Sequence, residues 1–258
     1  MIKKSQSLSI NEARKLVLLS QRVLPKNKMG KAIDTTLSTI ENLGYIQIDT
    51  ISAIQRSHHH TLWNRNPRYD PSHIEQLVSE KKVFEYWSHA AAYLPMRDYR
   101  YTLPRKSNIA SGKEKHWYQR DEKLMKKIIN RIDREGPLMA KDFETDGRES
   151  DNWESKPAKQ ALGNLFMQGD IMIASRRNFH KVYDLTENVL PVDVDRSLPT
   201  EEEYARFLIG SYLRANGIGQ ASEMTYLLNN IKPKVSATLS EMVLSGELLQ
   251  IEVKKSIY

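Results

Sequence analysis

The sequence has no cysteine among its 258 residues. This absence excludes disulfide bonds, thiolate zinc sites and a cysteine nucleophile, and it fits a protein of the reducing cytosol. No apolar run approaches the ~18 residues that a membrane-spanning helix needs. Residues 1–4 include two lysines, but polar residues follow them where a signal peptide would have an apolar core. We therefore expect a cytoplasmic protein without a membrane partner.

Acidic residues are fewer than basic ones. The chain has 39 Lys and Arg against 32 Asp and Glu, which gives a net charge of +7 at pH 7. A basic protein is attracted to polyanions, of which nucleic acid is the most common. The apolar share of 40% and the charged share of 28% are compatible with folded units. The charge therefore favours a nucleic-acid partner, although many basic proteins bind none.

One pattern occurs three times along the chain: an amphipathic helix, a glycine that ends it, and a strand. The glycines are Gly44, Gly169 and Gly246, and a leucine lies seven residues before each of them. This order is that of a winged helix, although any amphipathic helix that ends at a glycine before a strand would align in the same way. We predict a mainly α fold with small β-hairpins (α+β). Its tandem winged-helix modules cover residues 1–118, 119–192 and 199–258, with a proline-flanked linker at 191–199.

The strand of the first copy is polar, whereas the strands of the other two are apolar. Side chains alternate along a strand, so Gln47 and Asp49 project from one face. The equivalent positions in the other copies hold Met172, Ala174, Leu249 and Ile251. A strand that only closes a core needs no amide beside a carboxylate, so Gln47 and Asp49 are the candidate catalytic pair. The pattern alone is not specific, because an aspartate at such a place is often a turn or cap residue.

Residues 170–185 are predicted to form a β-hairpin with a basic tip. Arg176, Arg177, His180 and Lys181 lie at this tip, where a wing meets the DNA backbone. A solvated hairpin turn is the alternative. In a basic chain with a helix before the hairpin, we favour contacts with phosphate.

Histidine and aromatic residues are concentrated in two blocks. Residues 56–63 hold three consecutive histidines, for which we expect no metal, because adjacent histidines on a strand point to opposite faces and no ligand spacing is recognisable. Two alternatives remain for these histidines: they contact DNA, or they pack beneath the Gln47 and Asp49 pair. Residues 84–93 are either a core and interface cluster or a surface that stacks on nucleotides. The candidate DNA-binding residues in these blocks are Arg56, His58, His59, His60, Trp63, Tyr86, Trp87 and His89.

Three segments together resemble the winged-helix DNA glycosylases of the YcaQ/AlkZ type. They are residues 44–52 (GYIQIDTIS), 56–63 (RSHHHTLW) and 84–95 (FEYWSHAAAYLP). The resemblance runs over the whole chain and implies tandem winged helices that form a concave DNA-binding surface. The family motif is a glutamine, an apolar residue, then glutamine or aspartate, and Gln47-Ile48-Asp49 matches the aspartate form of the YcaQ-like branch. The family usually continues into a β-rich domain, so we expect the third module to be truncated before that domain.

The resemblance implies hydrolysis of the N-glycosidic bond of N7-alkylated purines, including those in interstrand crosslinks. The expected partner is double-stranded DNA that carries such purines, and we expect a monofunctional, nucleoid-associated monomer. An N7-alkylguanine is positively charged and leaves without protonation, so the enzyme must stabilise an oxocarbenium-like sugar and direct a water. Asp49 suits this role, Gln47 can hold the water or the sugar-phosphate, and no cofactor is needed.

The main alternative is a non-catalytic transcription regulator with tandem winged helices. It explains the repeat and the charge equally well. It does not explain the Gln47 and Asp49 pair together with the two aromatic-histidine blocks.

Overall fold

The computed structural model describes residues 6–23, 30–49, 51–52, 54–115, 117–143, 157–228 and 230–254. Over these residues the chain is mainly helical with small β-sheets, which confirms the predicted α+β class. Among the helices described, none is long and apolar enough to cross a membrane. The chain divides into two compact units, one formed by Met1–Tyr69 with Pro199–Tyr258 and the other by Asp70–Leu198.

The helices carry most of the fold. They are α1 (Ile10–Ser20), α2 (Ala32–Leu43), α3 (Ser57–Trp63), α4 (Ser72–Ser79), α5 (Leu103–Ala110), α6 (Glu122–Glu135), α7 (Pro157–Gln168), α8 (Thr186–Val189), α9 (Glu201–Asn216), α10 (Ala221–Met224) and α11 (Lys232–Leu244). Short 3-10 helices cover Met96–Thr102 and Ala140–Phe143.

The strands are short. They are β1 (Gln6–Ser9), β2 (Ile46–Gln47), β3 (Val83–Trp87), β4 (Ala91–Pro95), β5 (Leu138–Met139), β6 (Ile171–Arg177), β7 (His180–Leu185) and β8 (Ile251–Lys254).

Local contacts and backbone angles define the start of α1 and the end of α2 in the first unit. The hydroxyl of Ser9 accepts a hydrogen bond from the N–H of Glu12, and the Glu12 carboxylate accepts one from the Ser9 N–H, which is a capping box at the start of α1. Gly44 ends α2 in the left-handed region, with φ 81°. A Cβ at Gly44 would lie 2.8 Å from the Oγ of Ser211 on α9. Backbone angle and close approach thus both favour glycine where the chain turns from α2 into β2.

The last strand pairs differently from the prediction. The repeat predicts a strand directly after Gly246, whereas β8 begins at Ile251 and pairs in parallel with β1. A parallel pair cannot be closed by a tight hairpin, so this contact joins segments that are far apart in sequence. In the same unit α1 and α2 pack against α9. The buried core of α9 to α11 consists of Ala205, Ile209, Met224 and Val235.

The second unit has a core between helices and a three-stranded sheet. The sheet has the order β5-β7-β6, and α6 and α7 pack on it. The hairpin of β6 and β7 turns through Asn178 and Phe179, which both have positive φ, as a tight two-residue turn requires. β3 and β4 form a second antiparallel hairpin. The most deeply buried core residues include Ile128, Ile132, Leu162, Leu165 and Ile171.

The compact units group the predicted modules in an unexpected way. The order α6, β5, α7, β6, β7 is the helix, helix and hairpin order that the repeat predicts for residues 119–192. One boundary between the units lies at Leu198, inside the predicted linker, but the other follows Tyr69 and divides the module predicted at residues 1–118. The three module boundaries stay a prediction about the repeat.

Candidate functional site

The residues after Gly44 alternate between buried and accessible positions. Ile46 and Ile48 are buried, Gln47 is exposed, and Asp49 is partly exposed. The regular strand β2 covers only Ile46–Gln47, so it is shorter than predicted. The alternation nevertheless continues to Asp49 and leaves the amide and the carboxylate outside the core.

Asp49 forms two hydrogen bonds, one through its backbone N–H and one through its side-chain carboxylate. Its backbone N–H donates to the Nδ1 atom of His58, at 3.4 Å. Its Oδ1 atom accepts a hydrogen bond from the N–H of Ile51, at 2.9 Å. The second contact is an Asx turn, which is a common structural role of an aspartate that follows a strand. The same contact also restricts the orientation of the carboxylate. Such restriction favours catalysis, because a catalytic group must be held in a fixed geometry.

The three consecutive histidines lie on a helix and not on a strand. They occupy the second to fourth positions of α3, so their side chains are turned by about 100° from one to the next. His58 is buried, His59 is half-buried, and His60 is exposed. Among the described residues, no group of three His, Cys, Asp or Glu side chains could hold a metal ion. The three side chains therefore differ in their exposure to solvent.

His59 belongs to an aromatic cluster with Trp63 and Tyr69. Its Nδ1 atom lies 2.7 Å from the Tyr69 hydroxyl, and the Trp63 indole N–H donates to the Tyr69 carbonyl at 3.1 Å. Burial lowers the pKa of His59, and the charges of Arg56 and His60 lower it further. The imidazole of His59 is therefore neutral at pH 7, since its ordinary pKa is already below that value. His60 has a different partner, with Nε2 3.2 Å from the carbonyl of Gln55.

The basic hairpin of the second unit has two unlike faces. Arg176 pairs across the strands with Lys181, and Arg177 pairs with His180. Arg176 and Lys181 both face the buried carboxylate of Glu85. The Arg176 guanidinium binds it through two hydrogen bonds of 2.9 and 2.8 Å, and the Lys181 ammonium lies 3.5 Å away. Burial lowers the pKa of Arg176, but hydrogen bonding to Glu85 and its charge outweigh burial, so the pKa lies above its ordinary value.

This pairing separates the four basic residues of the hairpin, for which phosphate contacts are predicted, into two pairs with different surroundings. Two cations directly opposite each other on a hairpin repel, and Glu85 neutralises that repulsion from within the fold. Arg176 and Lys181 are therefore committed to Glu85, whereas Arg177 and His180 are exposed on the other face. Only the latter two keep the placement that a phosphate contact needs.

The aromatic residues of β3 and of the turn after it also differ in their exposure to solvent. Tyr86 is buried, and its hydroxyl donates to the carbonyl of Met167 at 2.8 Å. The ring of Tyr86 is thus part of the core and has no face for a nucleotide, which agrees with the core alternative for this residue. Trp87 is half-buried, with its ring centroid 5.1 Å from that of Trp117, which is 57% exposed. His89 is exposed in the turn between β3 and β4. The accessible aromatic surface here is Trp87 with Trp117.

A sequence model of the family described as DNA glycosylase AlkZ-like matches residues 40–257, which is well over half of the chain. The chain belongs to the AlkZ-like DNA glycosylase family. The matched region contains Gln47, Asp49, the α3 histidines and the basic hairpin. The resemblance noted from the three sequence segments is thereby confirmed at the level of the family.

The fold of this AlkZ-like chain is similar to that of the Streptomyces sahachiroi DNA glycosylase AlkZ. The TM-score is 0.64 over 92% of this chain, with 16% sequence identity. The alignment covers 66% of the Streptomyces protein, so this chain spans slightly less than two thirds of that protein's length. At this identity, the similarity shows the fold alone.

Sequence reasoning missed three residues that the structure places at or near the candidate site residues. Tyr69 holds both His59 and Trp63, but it lies beyond the block of residues 56–63. Glu85 was visible as a single carboxylate between aromatic residues, a pattern that signals a buried ion pair. Lys106 lies under the rings of Tyr86 and Tyr99, and nothing in the basic region around it distinguishes it from surface lysines.

Proposed function

We propose that this chain is a monofunctional DNA glycosylase that hydrolyses the N-glycosidic bond of N7-alkylated purines in double-stranded DNA. The observation that carries the proposal is the pair of Gln47 and Asp49, which lies outside the core beside β2 in a member of the AlkZ-like family. The hydrogen bonds from Asp49 to His58 and from Ile51 to Asp49 support it, because they restrict the carboxylate before any substrate binds.

The chemistry needs few groups. An N7-alkylated guanine already carries a positive charge, so it leaves the sugar without a general acid. The sugar then develops positive charge, which the carboxylate of Asp49 stabilises, and the same carboxylate accepts a proton from the attacking water. The amide of Gln47 donates and accepts hydrogen bonds, so it can orient that water or the sugar. No amine nucleophile takes part, and the product is an abasic site in an unbroken strand.

DNA binding by this chain rests on its charge and on exposed basic side chains. The net charge of +7 attracts the phosphate backbone over a distance of about a Debye length. Arg177 and His180 on the exposed face of the β6–β7 hairpin suit phosphate contacts, as the wing of a winged helix does. The positive charge supports association with the nucleoid, and the order of α6, α7 and the β6–β7 hairpin supports a winged helix in the second unit. We further propose tandem winged helices and a single protomer as the active form.

Interstrand crosslinks are proposed as substrates for a geometric reason. A base tethered to the opposite strand cannot rotate fully into a deep pocket, unlike the base in ordinary base flipping. Gln47 is exposed and Asp49 partly exposed, so a site built on them does not require the base to be enclosed.

The test is an incubation of the purified protein with a duplex that contains one N7-methylguanine. We expect strand breaks at that position only after alkali, because the direct product is an abasic site. Breaks without alkali would contradict the monofunctional mechanism. Tight binding to the duplex with no abasic product would contradict the glycosylase proposal and favour the non-catalytic regulator.

A further inference from the structure

His58 is the buried member of the three histidines on α3, and it contacts the backbone of the candidate catalytic residue. It is 3% exposed, so its ring cannot reach a DNA phosphate in this structure. Its Nδ1 atom accepts the backbone N–H of Asp49 at 3.4 Å. The expected contact of His58 with DNA is thereby replaced by a contact with the site itself.

The hydrogen bond fixes the state of the ring. A backbone N–H can only donate, so Nδ1 must offer a lone pair, and the proton of the neutral imidazole must lie on Nε2. The ring centroid of His58 also lies 4.2 Å from that of His59, whose own Nδ1 lies 2.7 Å from the Tyr69 hydroxyl. The ring that accepts the Asp49 N–H is therefore packed beside a second ring with a fixed partner.

Asp49 lies where regular structure has ended. β2 stops at Gln47, and α3 begins at Ser57. Asp49 therefore lies outside regular secondary structure, two residues after the last residue of β2. The hydrogen bond to His58 connects the irregular residues after β2 to a helix, and this connection supplies the rigidity that the strand no longer provides.

We propose that His58 is a positioning residue for the glycosylase reaction proposed above, on which this inference rests. Nδ1 of His58 anchors the main chain of Asp49, and the anchor keeps the carboxylate at a constant place relative to Gln47. A displacement of a catalytic group by about 1 Å costs on the order of 10²-fold in rate. Loss of the anchor therefore lowers the rate of base excision without removing any group that touches DNA.

The substitutions His58→Asn and His58→Gln separate positioning from packing. An asparagine amide places its oxygen on Cγ, where Nδ1 of histidine is attached, whereas a glutamine amide places its oxygen near the position of Nε2. We expect His58→Asn to keep the single-turnover excision rate within about 5-fold of wild type and His58→Gln to lower it by roughly 30- to 100-fold. The Kd for duplex DNA should change by less than about 3-fold in both, because His58 is buried and contacts no phosphate.

A matched control exists in the second unit. The N–H of Asp70 donates to Nδ1 of His73 at 3.4 Å, which is the same contact at the same distance. His73→Gln removes that contact at the start of α4 and should leave the excision rate unchanged. An equal loss of rate in His58→Gln and His73→Gln would mean that general destabilisation is responsible, and it would overturn the positioning role.

Two further outcomes distinguish this inference from the proposed function. If the wild-type protein excises N7-methylguanine and His58→Gln does so at the same rate, the positioning role is wrong and the glycosylase proposal stands. If the wild-type protein excises nothing, both fail. A third readout does not depend on activity: long-range ¹H–¹⁵N spectra should show an unprotonated Nδ1 and a protonated Nε2 for His58. The opposite tautomer would overturn the anchor.

Discussion

Lys106 is buried, whereas lysine side chains in proteins are mostly exposed to solvent. It is 3% exposed, and its ammonium nitrogen has no hydrogen-bond partner among the described residues. The nitrogen lies 4.1 Å from the ring centroid of Tyr99 and 4.6 Å from that of Tyr86. The ring faces favour the cation, but burial disfavours it more strongly and lowers the pKa of Lys106 to about 7.

The substitution Lys106→Met should therefore change how stability depends on pH. The pKa of Lys106 is lower in the folded state than in the unfolded one, so unfolding takes up a proton above pH 7, and the contribution of Lys106 to stability rises with pH. Between pH 7 and pH 9, the free energy of unfolding of wild type should increase by about 2 kcal/mol relative to that of Lys106→Met. Urea unfolding at the two pH values measures this difference. Parallel curves would show that Lys106 keeps its ordinary pKa in the fold.

At the scale of elements, the β6–β7 hairpin has one face turned to the protein and one to solvent. The tight turn at Asn178 and Phe179 sets the register that places Arg176 opposite Lys181. That register puts both cations beside Glu85. Burial raises the pKa of the nearby Tyr183, and the negative charge of Glu85 raises it further. The neighbouring pair of Arg177 and His180 is exposed. Two adjacent arginines of one strand therefore have different surroundings: Arg176 is paired with Glu85, and Arg177 is exposed to solvent.

Alanine substitutions of the two arginines should affect different properties of the protein, namely stability for Arg176 and DNA binding for Arg177. Arg176→Ala leaves the Glu85 carboxylate buried with Lys181 alone, so we expect a loss of about 3 kcal/mol in the free energy of unfolding. Arg177→Ala should change stability by less than about 0.5 kcal/mol, but it should lower the slope of log Kd against log salt by about 1 if Arg177 contacts a phosphate. Unfolding titrations and binding to an undamaged duplex at several salt concentrations measure both quantities. An unchanged salt slope in Arg177→Ala would remove this residue from the DNA interface.

At the scale of the whole molecule, local signals could be read from the sequence and distant contacts could not. The helix end at Gly44 and the alternation from Ile46 to Asp49 depend on neighbouring residues, so the sequence predicts them. The α3 helix is an exception: its histidines are predicted to lie on a strand, because seven residues give too short a period to separate helix from strand.

Contacts between segments that are distant in the sequence cannot be predicted from local patterns. Nothing near Arg176 in the sequence predicts its ion pair with Glu85, because the two residues lie 91 positions apart. The parallel pairing of β1 with β8 is not predictable for the same reason, since it joins the two ends of the described chain. The sequence leaves two alternatives for Tyr86, core and surface, and its burial with the hydrogen bond to the Met167 carbonyl decides for the core.

The proposed function depends on Asp49 as the carboxylate that drives hydrolysis. The most direct measurement is the single-turnover rate of N7-methylguanine excision by Asp49→Asn, with the Kd for the same duplex measured in parallel. Asparagine keeps the size and an oxygen that can accept the Ile51 N–H, but it has no negative charge and cannot act as the base. We expect a loss of at least about 10³-fold in rate, with the Kd within about 3-fold of wild type. Excision by Asp49→Asn at the wild-type rate would contradict it.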